Sequence, residues 1–143
     1  MIVVDASVAI KVALHEPDSP IAVAALRAQS WSAPDLIFPE CANIIWKRRR
    51  MGDITHEQAI QAVELIETMN LYVEPCRRLF SRAVQLSVAF DHPAYDCFYV
   101  AHAEQLDAAL LTADRKLIAT VRASDATGVK IMSLGDYAQE NDV

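Results

Sequence analysis

The sequence has few cysteines and no pattern among them. Cys41, Cys76 and Cys97 are odd in number, scattered and without CxxC spacing, which argues against a disulfide framework or a zinc site. They are expected to be buried free thiols. The four histidines are equally dispersed, with no HxH or HExxH pattern; His102 is expected to be a packing or surface residue. Only 3 Gly and 6 Pro punctuate 143 residues, so the chain has no low-complexity tract and no linker. No apolar run reaches membrane-spanning length, and Ile2–Val4 is too short for a leader. A soluble cytoplasmic protein with no membrane partner is expected.

Positive charge is also scarce. The 13 Lys and Arg face 19 Asp and Glu, for a net charge of −6, and such an acidic balance argues against a nucleic-acid partner. Sequestered acids change that balance: with four of the 19 held in a metal site, the remaining 15 would nearly balance the 13 cations. Basic residues do cluster, at Lys47 to Arg50, at Arg77, Arg78 and Arg82, and at Arg115 with Lys116. Lys47, Arg48, Arg49, Arg115 and Lys116 are candidate contacts to a phosphate backbone. The plainer role for "KRRR" is a solvated helix end favoured by the helix dipole.

What the chain has in quantity is apolar residue, 53% of the total, in short runs that alternate with helical periodicity. Ile2–Val4 predicts a buried strand, followed by a helix over Val8–Leu14, a turn at "EPDSP" and a helix over Ile21–Ala28. "WSAPDLIF" holds a short extended segment, and a helix runs from about Pro39 to "KRRRMG". "THEQ" at Thr55–Gln58 matches a capping box, and its helix buries Ala59, Ala62, Val63, Ile66 and Met69. "LYVEP" predicts a strand, and Leu79, Phe80, Ala83, Leu86, Ser87 and Phe90 mark the buried side of the next helix. A helix at "PAYDCFYVAHAE", a strand at Ala109–Thr112, a short helix from Asp114 and a last strand in "VKIMSL" complete the pattern. Alternating strands and helices imply a mostly parallel sheet covered on both faces, in one domain spanning 1–143. Ligands of such sheets bind beyond the carboxyl ends of the strands.

Four acids map to that edge. Asp5 follows the first strand, Asp114 follows "ALLT" by one residue, and Glu40 and Asp96 each fall in the first turn of a predicted helix. Each has an ordinary structural role: a helix cap for Asp114, a favourable dipole for Glu40, a strand-end turn for Asp5. Asp96 is the least ordinary, because its helix is apolar on nearly every side. Two carboxylates about 5 Å apart repel by about 3 kcal/mol at an effective dielectric near 20. Four together call for a positive partner, and an all-oxygen set suits Mg²⁺ or Mn²⁺. The same repulsion predicts that Asp96→Asn is more stable than the parent without metal. Ser7 and Thr112 are auxiliary polar groups beside Asp5 and Asp114.

The stretches "MIVVDASVAIK", "APDLIFPECANIIWK", "YDCFYVAHAE" and "LLTADRKL" resemble, in order, the four blocks of the PIN-domain nucleases. The resemblance is to the VapC toxins of toxin–antitoxin pairs and covers nearly the whole chain. It implies a three-layer α/β/α sandwich around a parallel sheet of four or five strands. It also implies a Mg²⁺- or Mn²⁺-dependent endoribonuclease, usually a homodimer, held inactive by a cognate VapB-like antitoxin. The family's acidic constellation falls on Asp5, Glu40, Asp96 and Asp114, with Ser7 and Thr112 as auxiliaries.

Three rivals remain at the level of sequence. A haloacid-dehalogenase-type phosphatase needs a second Asp two residues after the first, where Ser7 stands. A DxSxS adhesion site needs a second Ser, where Ala9 stands. A PIN-like scaffold that binds RNA or protein without cutting is compatible with every residue.

Overall fold

Three consecutive apolar residues form β1 (Ile2–Val4), all buried, and the computed structural model builds the rest of residues 1–143 around them. The chain continues through α1 (Ala6–Ala13), α2 (Ser19–Ala28), β2 (Trp31–Pro34), α3 (Ile37–Arg50), α4 (His56–Thr68) and β3 (Leu71–Glu74). It ends with α5 (Cys76–Phe90), α6 (Ala94–Leu106), β4 (Leu110–Leu111), α7 (Arg115–Arg122), β5 (Ile131–Met132) and α8 (Leu134–Asn141).

Every strand pairing is parallel, and the order across the sheet is β3-β2-β1-β4-β5. The chain therefore steps outward from β1 to β3, then returns to the far side of β1 for β4. That reversal opens a crevice between the carboxyl ends of β1 and β4, where a doubly wound sheet binds its ligands. The register pairs Val4 with Leu111, so Asp5 and Thr112 emerge side by side just beyond the last paired residues.

Helices cover the sheet to give the three-layer α/β/α sandwich. Helix α6 lies against β1, β2 and β4 and carries α5 on its back, while α1 packs with α2, α3 and α4. The burial of α6 on most sides follows from this sandwiched position: Cys97, Tyr99, Val100, Ala101, His102 and Ala103 are all buried. His102 is a packing residue, its Nε2 bonded at 2.7 Å to Ser32 of β2. Ser32 in turn donates to the Tyr72 carbonyl of β3.

Some boundaries and faces differ from the sequence expectation. Helix α3 begins at Ile37 rather than near Pro39, because a proline in the first helical turn has no N–H to lose and its fixed φ suits the helix. Val63 and Phe80, expected to be buried, are 43% and 62% exposed; the apolar stripes of α4 and α5 are wider than the arc that the neighbouring elements cover. The last strand shortens to Ile131–Met132, and α8 is an additional element beyond the expected pattern. Its start is nonetheless written in the sequence, since Ser133 and Asp136 form a reciprocal capping box.

Candidate active site

The four acids line one cleft of about 220 Å³, together with Ser7, Asn43, Ile44 and Tyr99. Asp5 arrives from the end of β1, Glu40 from the first turn of α3, Asp96 from the first turn of α6, and Asp114 from the cap of α7. The sheet edge and three helix starts thus bring together residues far apart in sequence.

Asp5 is the most enclosed, at 6% exposure. Its Oδ1 accepts from the Ser7 hydroxyl and from the Val8 N–H at 3.2 Å, and its Oδ2 accepts from the Thr112 hydroxyl. Burial outweighs these three donors, with Asp96 adding like-charge repulsion, and the carboxyl is pushed up to about 6. Ser7 and Thr112 also accept hydrogen bonds, from the Ala113 N–H at 2.9 Å and the Asp114 N–H at 3.0 Å. The loop that carries Asp114 is therefore tied directly to Asp5.

Asp114 caps α7 by accepting from the Leu117 N–H at 3.1 Å. Asp5 likewise caps α1 through Val8. Capping and membership of an acidic cluster are not alternatives here: Asp114 caps with one oxygen and keeps the other free, while Asp5 caps with Oδ1 and accepts from Thr112 at Oδ2, and both helix starts open onto the cleft.

Glu40 accepts from the Tyr99 hydroxyl at Oε1. Burial raises its affinity for a proton, Tyr99 opposes that, and Asp96 reinforces it. The Tyr99 hydroxyl is itself held far above its usual range, first by burial and then by Glu40. Asp96 bonds to His92, Nε2 to Oδ2 at 2.7 Å. Neighbouring thiols are inert: burial pushes Cys41 up to about 12 and Cys97 up to about 11. Both are buried and free as expected, whereas Cys76 is only half-buried.

Tyr99, Asn43 and His92 escaped the sequence reading. Tyr99 stands three residues after Asp96 and Asn43 three after Glu40, so each lies one turn on, over the same helix face. His92 precedes Asp96 by four. Spacing of one turn marks all three positions as neighbours of an acid, but not the partner each side chain meets.

The basic candidates divide. Arg115 and Lys116 open α7 next to Asp114 and are exposed. Lys47, Arg48 and Arg49 lie in the last turn of α3, two turns or more from Glu40. Lys47 and Arg49 are exposed. Arg48 is engaged elsewhere, bonded to Glu16 at 2.8 Å and paired with Asp53 at 3.3 Å, in a network that includes Lys11 and Asp18.

No lysine or arginine forms an ion pair with any of the four acids. The cluster also lacks a ready-made cage, since no three His, Cys, Asp or Glu side chains stand close enough to grip an ion. Hard oxygen donors on a solvent-open cleft fit a hydrated Mg²⁺ or Mn²⁺, which needs only one or two protein carboxylates and keeps several waters.

The PIN domain family matches residues 2–123. The chain belongs to the PIN-domain family. Among PIN-related proteins, it is similar to Ribonuclease VapC3 of Pyrobaculum aerophilum, with 32% identity over 123 residues, 81% of this chain and 91% of that one. Its fold is similar to that of PAE2754 from the same organism, at TM-score 0.71 and 22% identity over 96% of this chain and 86% of the other. It is also similar to VapC20 of Mycobacterium tuberculosis, a sarcin-ricin loop cleaving toxin, at TM-score 0.65 and 17% identity over 83% and 94% of the two chains. VapBC2 of Rickettsia felis, solved with a DNA fragment from its promoter, gives TM-score 0.63 and 11% identity over 93% of this PIN domain chain and 98% of the other.

Proposed function

We propose that this protein is a Mg²⁺- or Mn²⁺-dependent endoribonuclease of the VapC type, the toxin of a type II toxin–antitoxin pair. One observation carries the reading: four carboxylates face a single cleft with no lysine or arginine to neutralise them. Such a cluster is stable at neutral pH when a divalent cation supplies the missing charge. The PIN family and the 32% identical ribonuclease supply the substrate class.

Asp5 and Asp96 would be the principal ligands, within the one or two carboxylates such an ion needs, and Asp114, with one oxygen free of the helix cap, would face the ion's bound waters or a second ion. When bound, the cation lowers the pKa of water and neutralises charge that builds on the phosphodiester. Glu40 keeps Oε2 free while Tyr99 holds Oε1, so it can orient the attacking water and take its proton at Oε2. Its raised proton affinity suits that role. Ser7 and Thr112 fix the Asp5 carboxylate and the loop before Asp114. Arg115 and Lys116 stand where a phosphate backbone entering the cleft would pass, with Lys47 and Arg49 further along α3. Hydrolysis is in line and leaves 5′-phosphate and 3′-hydroxyl ends. The chain works as a single PIN domain over 1–143, as a cytoplasmic homodimer restrained by a VapB-like antitoxin.

The test is cleavage of a mixed set of structured and single-stranded RNAs with Mg²⁺, Mn²⁺ or EDTA, alongside Asp5→Ala and Asp96→Asn. Metal-dependent cutting lost in both variants supports the proposal. Products with 2′,3′-cyclic phosphate ends exclude this mechanism, and metal binding without any cutting would favour a scaffold.

A further inference from the structure

His92 is 7% exposed, and its Nε2 is 2.7 Å from Oδ2 of Asp96. A buried imidazole bonded to one acid of the cluster calls for an explanation, since the other acids are held by hydroxyls and backbone. The chain around it is unusually fixed. Helix α5 ends at Asp91 in the left-handed conformation, with φ 50°. The His92 N–H then donates to the Ser87 carbonyl at 3.2 Å, and the Ser87 hydroxyl donates back to the His92 carbonyl at 2.7 Å. Pro93 follows, with its φ set by its ring, and is the cap of α6. Ser87 thus clamps both backbone groups of His92, and the imidazole is delivered to Asp96 from the end of one helix across to the start of the next.

We infer that His92 is a positioning residue for Asp96: it donates Nε2–H to Oδ2 and so fixes the rotation of the carboxylate, with Oδ1 left free of any protein hydrogen bond. A carboxylate on a partly exposed side chain otherwise swings about its last torsion, and both oxygens sample the cleft. Hydrogen bonds from outside the coordination shell orient ligands in this way, and their loss weakens metal binding by about 10–100-fold. The inference rests on the assignment of Asp96 as a metal ligand. It adds a residue on which that ligand depends, and one that lines no part of the cleft.

The experiment is Mn²⁺ affinity in the absence of RNA, read from the free-ion electron paramagnetic resonance signal, with melting in EDTA measured on each protein. His92→Phe keeps the ring volume and removes the donor. His92→Gln places an N–H near the Nε2 position, and His92→Asn is polar but too short. The expected result is Mn²⁺ binding weakened about 10–100-fold in the Phe and Asn variants and largely restored in the Gln variant, whatever their melting temperatures. Folded Phe and Asn variants that bind Mn²⁺ as the parent does would overturn the inference and leave the metal site standing. A folded Gln variant as weak as the Phe variant would overturn it too, since the donor would then not be the cause. A parent that binds no Mn²⁺ removes the metal site itself and the inference with it.

Discussion

The Thr112 hydroxyl donates to the Asp5 carboxylate across a sequence separation of 107 residues, and the same oxygen accepts the Asp114 N–H at 3.0 Å. One threonine therefore joins the end of β1, the end of β4 and the cap of α7. Thr112→Val, close in shape, removes both roles at a fully buried position and leaves an amide and a carboxylate short of a partner. A loss of about 2–4 kcal/mol is expected, from two such groups at about 1–3 kcal/mol each with partial relaxation. Thr112→Ser should restore most of it, with urea unfolding as the measurement.

Asp5 makes stability depend on pH in an unusual direction. Its folded-state value of about 6 lies above the ordinary 3.8, so between those values the folded protein binds the proton more readily than the unfolded chain. The favourable contribution is complete below about pH 4 and is lost as pH rises through about 6, at a cost of up to about 3 kcal/mol by neutral pH. Glu40 is shifted in the same direction. In EDTA, Asp5→Asn is expected to be more stable than the parent at neutral pH, and the advantage should vanish near pH 4. Thermal melts across that range decide it. Asp96 is the weaker candidate for such a gain, because its carboxylate is part-exposed and bonded to His92.

Asp114 separates capping from chemistry. Asparagine caps a helix about as well as aspartate, whereas alanine costs about 1 kcal/mol. Asp114→Asn should therefore melt within about 0.5 kcal/mol of the parent yet lose RNA cleavage, while Asp114→Ala loses both. Full cleavage by the Asn variant would reduce Asp114 to a cap.

Charge reversal distinguishes the basic residues. Arg115→Glu and Lys116→Glu should weaken RNA cleavage and flatten its salt dependence, by about one unit of log–log slope for each phosphate no longer neutralised. Arg48→Glu should act on stability, because it opposes Glu16 and Asp53. Rates measured against salt, with melts of each variant, test the division.

Much of this site is legible in the sequence because it depends on where strands end and helices begin. Local signals mark those points, and a parallel sheet carries them all to one edge, so the pattern alone groups Asp5, Glu40, Asp96 and Asp114. Side-chain partnerships are less visible. Tyr99 reads as one more apolar position of α6, since nothing local says that its hydroxyl meets Glu40 across the cleft. His92 lies outside the predicted helix, and its link to Asp96 needs the left-handed turn at Asp91. Arg48 looks like its neighbours in "KRRR", and only the approach of α3 to the loop after α1 commits it to Glu16.

The central claim is that the acidic cleft is built for a divalent cation, and the most direct test needs no RNA. Melting of the parent and of Asp5→Asn is measured at neutral pH in EDTA, Mg²⁺ and Mn²⁺. Binding stabilises a folded protein by about 2.7 kcal/mol at a ligand concentration 100 times Kd. Metal is expected to raise the parent's melting temperature and overcome its disadvantage to Asp5→Asn, while the variant responds little. A parent whose melting is the same in EDTA and in saturating metal would contradict it.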